Sequence, residues 1–159
     1  TELVYHPYEG FSYVTRTHMR NAASVWNAAM GNVFISISSS TQPNRSGYPK
    51  NDGNNYIYAE DVGQGYAAQN HYWWSSSNKV TQSDININMY CSWADSAVEG
   101  AYDVYSVFLH ELGHTVGLGD VKEASYKDKA VMYHAAIKNA ERRKLLSDDI
   151  SGVQALYGS

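Results

Sequence analysis

Apolar side chains recur along this chain at two spacings, and the two spacings predict alternating strands and helices. Between residues 16 and 30 they recur every three or four positions, which is the period of an amphipathic helix, and Gly31 is expected to end it. Segment 103–117 is apolar nearly all round, which predicts a second, buried helix. A last helix is predicted over 148–157, with Ser147 as its N-cap.

The other segments show the features of strands. Residues 3–14 predict a first strand or a hairpin around Glu9-Gly10. Apolar and polar residues alternate over 33–37, which predicts a second strand. A long loop is expected over 39–55, because this segment is rich in Ser, Asn, Pro and Gly. Three further strands are predicted at 56–59, 63–70 and 83–91.

The order of these elements predicts an α+β protein, since strands and helices do not alternate regularly. A chain of 159 residues is long enough to bury one sizeable core, and it shows no internal repeat and no sign of a second domain. We therefore expect a single domain over residues 1–159.

Charge and composition narrow the range of partners. The chain carries 12 Lys and Arg residues against 16 Asp and Glu, a net charge of −4, and has no basic run. This argues against nucleic acid or an anionic membrane as the main partner, and no apolar run approaches the roughly 18 residues that span a bilayer. No signal peptide is visible from Thr1, which fits a cytosolic protein or a processed chain. The sparse charge, with many Tyr, Asn, Ser and Gly residues, favours a secreted enzyme.

The strongest chemical pattern lies at the end of the second predicted helix. His110 and His114 are four residues apart, so on a helix they project from one face and can reach one ion. Glu111 lies beside that pair and can act on a water at the metal without being a ligand. Gly117 favours a left-handed turn that ends the helix and lets Asp120 reach back as a third ligand. Two imidazoles and a carboxylate leave one tetrahedral position open, which is typical of a catalytic zinc site.

Two alternatives concern the histidines. A surface helix with solvated histidines would also give this spacing, but the apolar surroundings of His110 and His114 argue against it, because unpartnered buried polar groups are costly. His134 is a rival ligand by its position in sequence, and otherwise lines the cleft. The remaining histidines are expected to be surface residues or satisfied core residues, and these are His6, His18 and His71.

Three segments carry a family resemblance. Residues 110–120 resemble the extended zinc motif of metzincin metallopeptidases, H-E-x-x-H-x-x-G-x-x-H/D, and the aspartate at its end resembles the snapalysin type. Residues 130–133 resemble the metzincin Met-turn, in which Met132 would pack beneath the metal without binding it. Residues 146–158 resemble the final helix of matrixin catalytic domains.

The resemblance implies both a fold and an activity. The fold is a zincin-like, twisted, mostly parallel sheet of about five strands backed by two helices. An upper part of about 1–117 is followed by a small irregular lower part of about 118–159 that ends in the final helix. The activity is hydrolysis of internal peptide bonds, with one catalytic Zn²⁺ and with Glu111 as general base and then general acid. The expected partner is a protein or peptide substrate, and the enzyme is expected to be a monomer.

The resemblance also suggests where a substrate lies. An extended peptide would pair with an exposed edge strand around Gly65, Tyr66 and Ala67. Ser106 would form one wall of the pocket for the residue after the cut, and would leave room for a large apolar or aromatic side chain. The alternative is that Ser106 is a helix residue without a role in specificity.

Two further possibilities stay open. Ca²⁺ binding, frequent in matrixins, has candidates in four loop acids that could equally be solvated, and these are Asp52, Asp61, Asp95 and Glu99. The aromatic cluster between Tyr66 and Trp74 could instead serve a binding module whose zinc site is inactive or narrowly specific. Glu111 argues against the second possibility, because a binding relic has no reason to retain a general base.

Overall fold

A computed structural model describes residues 2–32, 34–45, 47–77 and 79–158, so Val33 of the predicted second strand lies outside the described residues. The main sheet has the strand order β2-β1-β3-β5-β4, with all neighbours parallel except the antiparallel pair β4 and β5. The mostly parallel five-stranded sheet expected from the sequence is thus confirmed, and β4 lies at one edge. Its strands are β1 (Leu3–Pro7), β2 (Ile35–Ile37), β3 (Asn55–Glu60), β4 (Ala68–Trp74) and β5 (Val80–Asn88).

Three helices accompany the sheet. Helix α1 (Tyr13–Met30) begins where the Ser12 hydroxyl accepts the N–H of Thr15, and ends at Gly31, whose φ of 71° is left-handed. Helices α1 and α2 pack against each other and against the sheet, and α3 packs on α1. The other elements are α2 (Val104–Thr115), α3 (Ser147–Tyr157), a 3₁₀ turn (Ala124–Tyr126) and the short parallel strands β6 (Trp93–Ala94) and β7 (Tyr102–Asp103).

The hairpin alternative around Glu9-Gly10 is wrong. After β1 the chain turns, with the N–H of Phe11 donating to the carbonyl of Tyr8, and Ser12 then caps α1. Helix α1 therefore starts three residues earlier than predicted, because a capping hydroxyl outweighs the aromatic, strand-favouring character of Tyr13.

The boundaries of the later strands also differ from prediction. Residues 63–67 are a loop, because the Asn88 side chain donates to the carbonyls of Gly63 and Tyr66 and so takes the place of a strand partner. The β4 strand consequently runs over 68–74 and includes the aromatic residues. At the last helix Ser147 is the first helical residue, and the Asp149 carboxylate accepts the N–H of Leu146.

One hydrophobic core runs through the described residues. Trp26, Phe108 and Leu112 are completely buried in it, and each such side chain stabilises the fold by about 1.5–3 kcal/mol. Met132 and Val153 belong to the same cluster, so the lower part packs directly on the upper part. Within the described ranges, no helix has both the length and the apolar character that crossing a membrane requires.

Candidate metal centre

The end of α2 redirects the chain toward the paired histidines. The N–H of Gly117 donates to the carbonyl of His114 at 3.0 Å, and the N–H of Leu118 donates to the carbonyl of Gly113 at 2.9 Å. This pair of hydrogen bonds is a Schellman motif, which needs a left-handed residue, and Gly117 has φ 102°. Three residues after this turn, Asp120 lies against the helix it has just left.

Three side chains converge at this point. The Asp120 Oδ1 atom lies 3.0 Å from Nε2 of His110 and 3.2 Å from Nε2 of His114. Ligand atoms bound at zinc distances in a tetrahedron would be about 3.3 Å apart. The spacing and the chemistry of the donor set therefore fit a zinc ion, and these three residues form the candidate metal centre.

The opposite nitrogen of each ring is held by the backbone. Nδ1 of His110 lies 2.8 Å from the carbonyl oxygen of Val131, and Nδ1 of His114 lies 2.8 Å from that of Leu118. A carbonyl only accepts, so both Nδ1 atoms donate a proton to it, and on each ring Nε2 is left as the nitrogen that can bind a metal. Backbone contacts of this kind fix the tautomer and orientation that a metal ligand needs.

Glu111 lies beside the centre and is only 6% exposed. Burial raises the pKa of its carboxyl above the ordinary value. The backbone carbonyl of Glu111 accepts a hydrogen bond of 2.7 Å from the side chain of Asn70, on the edge strand β4. The helix turn that carries Glu111 is therefore tied to the edge of the sheet.

Met132 packs against α2 at Gly113, the residue before His114. A Cβ atom added at Gly113 would collide with the Met132 sulfur and would come within 3.0 Å of the Trp26 ring, so the helix approaches this closely only because residue 113 is glycine. The Asp149 carboxylate accepts the N–H groups of Val131 and Met132 at 2.8 and 3.1 Å. The turn that carries Met132 is thus fixed by a side chain of α3.

The segment after Asp120 is fixed to that same turn. The N–H of Val121 donates to the carbonyl of Met132 at 2.8 Å, and the N–H of His134 donates back to the carbonyl of Val121 at 2.9 Å. This pairing places Asp120 immediately beside the turn, and it explains how an irregular segment can present a ligand reproducibly.

An open cleft of about 580 Å³ runs past the centre. One side follows the loop before β4 and the strand itself, and includes the predicted substrate residues Gly65, Tyr66 and Ala67. These three precede the edge strand, which begins at Ala68, so the expected strand position is corrected by a few residues. Ser106 and residues 133–137 also line the cleft.

The rival histidine also lines this cleft. The ring of His134 is tilted by 59° against that of Tyr133, with centroids 4.7 Å apart, and within the described ranges His134 does not join the convergent donor atoms. His6 and His18 are half-buried, and each keeps an Nδ1 atom without a hydrogen-bond partner among the described residues, so neither is a fully satisfied core histidine. His71 is an exposed residue of β4.

The aromatic cluster adjoins the metal centre. The Tyr72 ring stacks on His114 with an angle of 13° between planes, and Trp74 is 63% exposed on the same strand. The four calcium candidates do not converge in the described parts of the chain. Calcium binding therefore stays a prediction.

The sequence missed the groups that hold the site in place. Asp103 caps α2 and is only 1% exposed, and an aspartate just before an apolar helix is a signal that could have found it. Its ion-pair partner Arg143 and the bridging Asn70 carry no such signal, because their partners lie more than 35 residues away.

Comparisons with known proteins agree with this architecture. The profile of the matrixin peptidase family matches residues 6–158. Metalloendoproteinase 1 of Glycine max is 31% identical over 86 residues, and neutrophil collagenase of Homo sapiens is 25% identical over 151 residues, which are 54% and 88% of this chain. The matches cover 23% and 28% of those two proteins, so the chain spans about a quarter of the length of these curated relatives.

A solved structure shows the same fold. High choriolytic enzyme 1, a hatching-enzyme zinc protease of Oryzias latipes, superposes with a TM-score of 0.50 over 98% of this chain and 88% of that one. The identity is 13%, so this likeness concerns the fold alone. The family profile covers nearly the whole chain, and the chain therefore belongs to the matrixin family of metalloendopeptidases.

Proposed function

We propose that this chain is a zinc-dependent endopeptidase that hydrolyses internal bonds of proteins or peptides. The observation that carries the proposal is the convergence of two imidazole Nε2 atoms and one Asp120 oxygen beside Glu111, in a cleft open to an extended chain. His110, His114 and Asp120 would hold the zinc. The metal, when bound, would polarise the scissile carbonyl and make water a better nucleophile near neutral pH.

The protein's own groups have distinct roles in this proposal. The Glu111 carboxylate accepts a proton from the attacking water and delivers it to the leaving amine. Its burial favours this exchange, because a raised pKa lies closer to the pH at which the proton must move in both directions. Met132 packs beneath the site and keeps the histidine-bearing face of α2 at a fixed depth.

The substrate would lie along the cleft between two walls. Edge strand β4 offers unpaired backbone groups on its outer side, where an extended peptide can add as a further strand. Gly65, Tyr66 and Ala67 contact it on this side, and Ser106 forms the wall opposite. We also propose an extracellular enzyme, on the ground of its composition. As the family resemblance implies, it would act as a monomer.

Hydrolysis of casein or gelatin tests the activity. We expect cleavage that 1,10-phenanthroline abolishes and added Zn²⁺ restores. Glu111→Ala should retain the metal and lose at least about a hundredfold in activity, because a positioned general base contributes that much or more. Glu123→Ala, an exposed acid beyond the cleft, is the matched control. Full activity in Glu111→Ala would refute the assigned role.

Loss of the third ligand gives an independent test. Asp120→Ala should weaken zinc binding at least about a hundredfold, since removing a group that only orients a ligand already costs 10–100-fold. Competition with a chelator, followed by atomic absorption, measures this. Asp128→Ala, at an 87% exposed side chain, should keep the wild-type affinity. Stoichiometric zinc in Asp120→Ala would require a different ligand.

A further inference from the structure

Two neighbouring arginines beside the cleft differ in their partners. Arg143 donates to both carboxylate oxygens of buried Asp103, at 2.7 and 2.9 Å, and to the carbonyl of Asp95 at 2.8 Å. Arg142 makes one ionic contact within the described ranges, at 3.4 Å, with the 87% exposed carboxylate of Asp128. The guanidinium of Arg143 is therefore closely paired within the protein. That of Arg142 has a longer ion pair, with a carboxylate that is exposed to solvent.

The partial burial of Arg142 makes the weakness of this ion pair significant. Its side chain is only 24% exposed. A charge removed from water is costly unless it is paired, and a guanidinium presents a planar fork that matches a carboxylate. The environment of Arg142 therefore favours an incoming carboxylate that would pair with it more closely than Asp128 does.

Arg142 stands where the cleft opens into a second cavity of about 760 Å³. The two spaces share Val131, Ile137 and Arg142 in their linings. The backbone N–H of Arg142 donates to the Ser106 hydroxyl at 2.7 Å, which anchors the residue at the cleft wall. A side chain that enters here from the cleft would lie among Val131, Ile137 and Arg142.

The other charges of this cavity favour the same kind of group. Lys127 and Lys144 also line it, and neither has an ion-pair partner among the described residues. Of its two acids, Glu141 lies 3.5 Å from Arg143 and Asp128 is almost fully exposed. The lining of this cavity therefore carries more positive than negative charge.

We propose that Arg142 makes this enzyme selective for substrates with a carboxylate side chain, Glu or Asp, close to the scissile bond. The methylene groups of that side chain pack between Val131 and Ile137, and its carboxylate pairs with the guanidinium. This inference rests on the proposed endopeptidase function and specifies the substrate class that the cleft takes.

The test is a set of peptides that share one cleavable bond. Glu or Gln is placed in turn at each of the three positions before and after the bond, and kcat/KM is measured with the zinc-loaded enzyme. We expect one position at which Glu exceeds Gln by about tenfold or more, the effect of one charge-assisted hydrogen-bond pair. Arg142→Gln should bring this ratio close to one, and Lys129→Gln, an exposed residue outside both cavities, should leave it unchanged.

Each outcome decides the matter. Equal cleavage of Glu and Gln peptides at all six positions overturns the inference and leaves the proposed function standing. A ratio that persists in Arg142→Gln assigns the preference to another group and also overturns it. Failure to cleave any peptide with zinc bound overturns the proposed function itself. Should Arg142→Gln fail to fold, Arg142→Lys decides, since a lysine lacks the fork and must lower the ratio.

Discussion

The upper and lower parts of this molecule are stabilised in different ways. Residues 2–117 contain the five-stranded sheet, with helices of 18 and 12 residues packed on it. Many equivalent hydrogen bonds and apolar contacts therefore contribute to the stability of this part. Residues 118–158 are largely irregular before α3. Their backbone is fixed by a few polar side chains, chiefly Asp149 and the ring nitrogens of the two histidines.

The candidate metal centre spans both parts. The upper part supplies His110, Glu111 and His114 from one helix, and the lower part supplies Asp120 from a loop. In the lower part no repeating ladder can take over when one side chain is lost. Single substitutions there should therefore reach the site more readily than substitutions in the sheet.

The largest effect is expected at Asp149. Asp149→Ala leaves the N–H groups of Val131, Met132 and Leu146 without their acceptor, and the loss of such buried hydrogen bonds should lower the free energy of unfolding by about 4 kcal/mol. Urea unfolding measures this, and zinc affinity should fall with it. Asp148→Ala removes only a charge near the helix N-terminus and should cost about 1 kcal/mol or less. Equal effects at the two positions would contradict the contrast between the parts.

Two buried carboxylates, Asp103 and Asp84, have pKa values that are shifted in opposite directions. Burial alone would raise the pKa of Asp103, but hydrogen bonds from Arg143 and Ser106 outweigh it and hold that pKa below its ordinary value. Asp84, inside the sheet, accepts hydrogen bonds from uncharged groups, including the backbone N–H groups of Lys50 and Tyr56. Burial raises its pKa to about 6. The two acids should therefore contribute to stability with opposite dependence on pH.

The second prediction concerns Asp84. Between pH 4 and 6 the folded protein keeps a proton on this carboxyl that the unfolded chain has released. The stability that Asp84 contributes therefore falls as the pH rises through this window, by up to about 3 kcal/mol. Asp84→Asn mimics the protonated form and should lack this fall when urea unfolding is followed from pH 4 to 7.

An exposed aspartate provides the control for this experiment. Asp61→Asn should reproduce the wild-type pH dependence. Identical profiles for wild type and Asp84→Asn would show that Asp84 is ionised throughout this range.

The smallest effect is expected at Asn70, which bridges β4 and helix α2. Its amide donates to the carbonyl of Glu111 and to the Thr115 hydroxyl, both at 2.7 Å, and accepts from Ser83 at 2.6 Å. Asn70→Ala should lower kcat about tenfold, the effect of about 1.4 kcal/mol, with little change in KM, because the base moves relative to a substrate that β4 still binds. Asn51→Ala, an exposed asparagine outside the cleft lining, is the control.

A different result would change the interpretation of this bridge. A parallel rise in KM would mean that Asn70 shapes the substrate-binding edge itself. A fall in activity that only follows the folded fraction would mean that it is structural.

The sequence alone determined the elements whose cause is local. The apolar period predicted α1, and the nearly uniform apolar character of 103–117 predicted α2. The alternation over 33–37 and 83–91 predicted strands at nearly the right places. The spacing of His110, His114 and Asp120 predicted a convergent donor set, because helix geometry and the turn at Gly117 fix where nearby side chains point.

Tertiary structure decided everything that depends on a distant partner. Residues 63–67 are a loop because Asn88 binds their carbonyls, and the irregular lower part is ordered because Asp149 accepts its N–H groups. Likewise Arg143 forms an ion pair with Asp103 while Arg142 lines the cleft, although the two residues are adjacent and chemically identical. Local sequence cannot separate them, since burial and pairing depend on which remote residues the fold brings within a few ångströms.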